Sequence, residues 1–137
     1  MYGNILGKGQ TQMNTKFTKS ERRRIRELAH VAWERQLRSA IETLGQSINE
    51  MSDRRLTPFE VNDRIHEFHN GISRELFGLY SDSAPWWSVC RAHLNGVLTD
   101  LDLDSITETM RAGIRQFAAT FRERNDTETR EPNVDNR

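Results

Sequence analysis

The chain has 137 residues, enough for one domain and not comfortably two. Hydrophobic residues make up 35% of it, against roughly 45–50% in an ordinary globular chain, and polar ends that dilute a normal core account for the difference. The 20 Lys and Arg balance the 20 Asp and Glu, which removes net charge as a ground for nucleic-acid binding, and a single cysteine excludes an internal disulfide.

Residues 1–16 are rich in Gly, Asn, Gln and Thr without periodicity and read as a flexible N-terminal arm. They lack the charged start and apolar centre of a signal peptide. Nowhere does an apolar run approach the roughly 18 residues that a membrane span needs. The expectation is a soluble, cytoplasmic protein with no membrane partner.

A helical domain is expected over residues 17–124. Thr18 and Glu21 have the spacing of a capping box, and Ile25, Leu28, Ala29, Ala32, Trp33, Leu37, Ala40, Ile41, Leu44, Ile48 and Met51 follow a helical period. The stripe is wide, as on a helix with neighbours on more than one side, and Gly45 is a candidate kink or end. The early run Arg22, Arg23, Arg24 and Arg26 opposes the helix dipole. Pairing with Glu27, Glu34 or the acids of residues 100–108 explains such a run. A surface for an acidic partner or a phosphate backbone explains it too.

The second helix has the strongest start signals: Thr57 as cap, Pro58 at the first position and Glu60 closing a capping box. Val61, Ile65, Phe68, Ile72, Leu76 and Leu79 continue it to about Tyr80. His66 and His69 lie along one edge. Cys90 and His93 repeat that spacing on a third helix, which restarts after Pro85. If the two helices packed antiparallel, His66, His69, Cys90 and His93 would offer a tetrahedral zinc site. The competing reading makes Cys90 a small hydrophobe and the histidines edge residues.

The string His66-Glu67-Phe68-His69 is one residue too short for the metalloprotease pattern, so Glu67 turns away from the shared edge. Asn62, His66, His69 and Ser73 share a flank, yet no oxyanion donors or orienting acid accompany them. The run Asp100-Leu101-Asp102-Leu103-Asp104 starts like a calcium loop. It fails where Ser105 replaces the turn glycine and Arg111 the bidentate Glu. No catalytic residue and no cofactor are expected.

The third helix is expected to carry Trp86, Val89, Cys90, His93, Leu94, Val97 and Leu101, weakened at Asn95-Gly96. Trp86 and Trp87 point about 100° apart on a helix, so one enters the core and Trp87 is the candidate exposed anchor. Ser105 and Glu108 have capping-box spacing before a fourth helix with Ile106, Met110, Ile114, Phe117, Ala118 and Phe121, ending near Arg124. Residues 125–137 read as a disordered tail. The expectation is an all-α domain, about four helices in a small bundle between two disordered tails.

The segment Ile65-His66-Glu67-Phe68-His69-Asn70-Gly71, followed by Arg74-Glu75-Leu76 and Tyr80, resembles a group of small uncharacterised bacterial helical proteins. The resemblance covers about a tenth of the chain. It implies a prokaryotic origin and transfers no activity and no functional residue. The leading functional expectation is a non-enzymatic interaction protein, an accessory subunit or antitoxin-like inhibitor. It would bind another protein or a second copy of itself through Arg22, Arg23, Arg26 and Trp87. Nucleic-acid binding through the basic start of the first helix is the alternative, and a metal site at the His/Cys cluster a further one.

Overall fold

Chain direction is set at Thr18. Its hydroxyl accepts from the Glu21 N–H at 3.1 Å, and the Glu21 carboxylate accepts from the Thr18 N–H at 3.0 Å. This closed capping box starts helix α1, Lys19–Ser52, which runs 34 residues without a break, about 50 Å at 1.5 Å per residue. Gly45 does not end it. The computed structural model describes residues 17–81 and 85–129. Among these it has four helices and no strand.

A second closed capping box at Thr57 and Glu60 starts helix α2, which spans 58–80. Inside it, His69–Ser73 forms a π turn between the α segments Pro58–Phe68 and Arg74–Tyr80. The extra residue rotates everything after it by about 100° relative to an unbroken α-helix. Val61, Leu76 and Tyr80 are therefore the buried residues of α2. Ile65, Ile72 and Leu79, expected on the core stripe, are 43%, 38% and 36% exposed.

Helix α3, Trp86–Leu94, stops sooner than its apolar pattern suggests. Asn95 caps it and Gly96 follows at φ 76°, while the Val97 and Leu98 N–H groups turn back to the Ala92 carbonyl. The helical phase is lost there. Leu98, Leu103 and Ile106 enter the core from the loop, and Leu101 is left 83% exposed. Helix α4, Glu108–Glu128, is capped by Thr107 rather than Ser105, with the Met110 N–H donating to Thr107 Oγ1. The Thr107 hydroxyl also donates to Glu21, tying the starts of α1 and α4 together.

α4 continues four residues past Arg124, which corrects the expectation of a tail from residue 125. The expected N-terminal arm and residues 130–137 lie outside the described residues.

Helix α1 is the common element, packing on α2 and on α3, while α3 packs on α4. The core gathers around its first half. Ile25, Leu28, Ala29 and Ala32 meet Leu76, Tyr80, Trp86, Val89, Cys90, Ala92, Leu98, Leu103, Ile106, Met110 and Ile114. In the second half of α1 Ser47 is buried, and its hydroxyl accepts from Arg64 of α2 at 2.8 Å. That half of α1 and the first half of α2 form a hairpin arm leading away from the core. No helix among the described residues is long and apolar enough to cross a membrane.

Candidate partner-binding groove

Two adjacent tryptophans at the start of α3 take opposite environments. Trp86 is 6% exposed and Trp87 55% exposed, as a 100° separation on a helix requires. The Trp86 ring packs on Phe17 with centroids 4.8 Å apart. It also meets α4 at Gly113, where a β-carbon would stand 2.8 Å from Trp86 Cζ2. A hydrogen side chain is what lets α4 approach this ring.

Trp87 stays outside and leans on Phe117 of α4, centroids 5.6 Å apart, and Phe117 stacks on Phe121 at 6.4 Å. Between these rings lies a groove of about 580 Å³. Phe17, Trp86, Trp87, Gly113, Phe117 and Phe121 line it, with Gln116, Thr120 and Arg124 along the rim. Across the Trp87–Phe117 ridge is a shallower hollow of about 320 Å³ bounded by Leu79, Ser88 and Arg91. The Ser88 hydroxyl donates to the Leu79 carbonyl at 2.6 Å and fixes α3 against the end of α2 here.

The charged residues lining these two concavities are Arg91 and Arg124, and no acid lines either one. Neither arginine makes an ion pair among the described residues. The face is therefore aromatic in the middle and basic at its ends.

The arginines at the start of α1 are largely occupied within the chain. Arg22 donates to the Phe17 carbonyl at 2.9 Å, which holds Phe17 at the edge of the groove. Arg23 pairs with Glu27 at 3.4 Å, and Arg24 reaches Glu27 and the Asp102 carbonyl. Arg26 is exposed. The acids of residues 100–108 serve the fold as well. Asp102 takes a bidentate pair from Arg35 at 2.7 and 2.8 Å and accepts from the Thr99 N–H at 2.7 Å. These bonds to the charged form, Arg35 first, hold its carboxyl well below the usual range.

The four proposed metal ligands do not converge. Among the described residues no group of three or more His, Cys, Asp or Glu side chains is placed to share a metal ion. The four side chains sit in different surroundings, from the open face of α2 to the core. His66 and His69 are exposed on α2. Cys90 is 1% exposed in the core, where burial pushes its thiol up to about 12. His93 bonds Asp100 at 2.9 Å. Neither His66 nor His69 lines the hollow between α1 and α2, which Leu44, Arg64, Glu67, Phe68 and Ile72 help to form.

Sequence reasoning found Trp87 but not the surface it belongs to. Phe117 and Phe121 were expected in the core because they continue the stripe of Met110 and Ile114. They are half-buried and exposed, respectively. The stripe itself carries no signal of this, because the apolar pattern of the third helix continues to Leu101.

The fold and the groove together define a small all-α domain with one open aromatic face. No family model, no curated protein and no solved structure matches the chain.

Proposed function

We propose that this chain is a non-enzymatic interaction module, a small helical accessory subunit or inhibitor-like factor that binds another protein. The observation that carries the reading is Trp87. It is 55% exposed and rests against Phe117, at the lip of a groove lined mainly by aromatic rings. Exposed aromatic anchors beside a preformed concavity are the usual centres of binding energy at protein interfaces.

Arg22 and Arg23 have intramolecular roles, so the groove side of the molecule is favoured over the arginine run. A cytoplasmic setting and a bacterial complex belong to the same proposal and rest on the sequence alone.

The test is affinity purification from the native host with wild-type chain, with Trp87→Ala and with Arg23→Glu/Arg26→Glu, each checked for folding by circular dichroism. The expected result is a stoichiometric protein identified with wild type and with the arginine double variant, and absent from Trp87→Ala. A partner retained by Trp87→Ala and lost from the arginine variant would overturn the groove as the site. Nucleic acid eluting in place of protein would overturn the protein-binding reading, in favour of phosphate contacts that weaken steeply with salt.

A further inference from the structure

If the groove binds protein, as proposed, its shape and charge pattern narrow the occupant. Its α4 wall is Gly113, Phe117, Phe121 and Arg124 with the residues between them. That is one face of a helix over 11 residue steps, about 16 Å at 1.5 Å per residue. The facing wall is shorter. Phe17, Trp86 and Trp87 supply it, and α3 extends away from there. Residues 121–129 are exposed throughout, so the outer half of α4 has no helix beside it among the described residues. Such a slot has the form of a helix–helix contact with one member missing.

Charge selects the member. Arg124 stands at one end of the aromatic strip and Arg91 beyond the Trp87–Phe117 ridge at the other, with no acid lining between them. Neither makes an ion pair among the described residues, Glu123, Asp126 and Glu128 near Arg124 included. We infer that this groove receives an amphipathic helix of another protein, with apolar anchors at i, i+3 or i+4 and i+7 and acidic residues flanking them. The apolar anchors fill the space beside Trp87, Phe117 and Phe121, as in other helix-in-groove complexes. The flanking carboxylates meet Arg91 and Arg124, which sets orientation and rejects basic helices. The chain's own residues 1–16 reach Phe17 but carry Lys8 and Lys16 and no acid, so they do not match these ends.

The probe is a displayed library of 16-residue peptides with a helical scaffold and randomised surface positions, selected on the immobilised full-length chain. Enriched peptides are then measured by fluorescence polarisation against wild type, Trp87→Ala and Arg91→Glu/Arg124→Glu. The expected result is enrichment of apolar anchors at helical spacing with flanking Asp or Glu. Binding should be lost in Trp87→Ala and weakened about tenfold or more by the charge reversal, with rescue by Lys-flanked peptides. Trp87-dependent peptides without acidic flanks, or indifferent to the reversal, would overturn the acidic-helix inference and leave the protein-binding groove standing. No Trp87-dependent peptide at all would overturn both. A dimer in sedimentation that Trp87→Ala dissociates would assign the groove to a second copy and overturn the inference.

Discussion

Replacing Gly113 with alanine tests the geometry that creates the groove. In an exposed helix interior Gly→Ala stabilises by about 1 kcal/mol, because the glycine backbone loses more freedom on folding. At Gly45 nothing lies within 4 Å of the added β-carbon, so Gly45→Ala should show that gain. At Gly113 the same atom would stand 2.8 Å from Trp86 Cζ2, with Cε2 and Cη2 at 3.6 and 3.7 Å. The ring is poorly placed to retreat, since it is 6% exposed and backed by Phe17 at 4.8 Å. Overpacking of this kind costs about 1–3 kcal/mol. Gly113→Ala should therefore be neutral to about 2 kcal/mol destabilising after the propensity gain is subtracted. The decisive quantity is the difference between the two variants, about 1–3 kcal/mol, in which propensity cancels. Urea denaturation followed by tryptophan fluorescence and circular dichroism measures it. In a chain of this size each kcal/mol moves the melting temperature by about 3–5 °C. If Gly113→Ala stabilises as much as Gly45→Ala, α4 does not lie against Trp86 and the groove's floor is wrongly placed.

Three further outcomes rest on the same geometry. Trp87→Ala should cost about 1 kcal/mol or less, since it loses chiefly the Phe117 contact, whereas Trp86→Ala should cost about 3–5 kcal/mol; equal costs would contradict their opposite burial. Asp102 has a folded pKa below its unfolded value near 4, so it stabilises fully above that value and loses the contribution as pH falls toward the lowered one. Acid titration of stability should thus show a smaller drop for Asp102→Asn than for wild type. Glu21, lowered by the Thr107 and Thr18 bonds, accounts for part of what remains. Cys90 runs the other way: its folded pKa of about 12 lies above the unfolded value near 8.5, so stability present below pH 8.5 or so declines as pH rises toward 12. Cys90→Ala should flatten that alkaline decline, and native Cys90 should react with a disulfide reagent only as fast as the chain opens. Rapid labelling of the folded chain would contradict its burial.

The helix starts were legible because they are local. Thr18 with Glu21 and Thr57 with Glu60 need only a four-residue pattern, and both boxes close as the spacing requires. The phase of a helix is local too, until something resets it. The π turn at His69–Ser73 and the stop at Gly96 each reset it, and Ile72, Leu79 and Leu101 lie within or downstream of one of them, whereas Ile65 is exposed upstream of the π turn. A capping pattern also competes with its neighbours. Ser105 and Glu108 fit a box, yet Thr107 takes the cap, where it also reaches Glu21 of α1, 86 positions away in sequence. That partner is invisible to a short window.

The groove was illegible for a related reason. An apolar stripe says that a helix face avoids water, and not which element covers it. Met110 and Ile114 of α4 are covered from within the domain, whereas Phe121, on the same stripe seven residues past Ile114, is 40% exposed. What separates them is where α3 begins: its first residues, Trp86 and Trp87, stand against Gly113 and Phe117, and the chain is exposed throughout from Phe121 to Thr129. That leaves aromatic surface on α4 that no element among the described residues covers, and two arginines that make no ion pair there. Large exposed rings carry a hydration cost that a folded monomer normally removes by packing. Under the proposed function, the exposed rings beside Trp87 are the surface that the partner covers, and their hydration cost is part of the free energy that binding recovers.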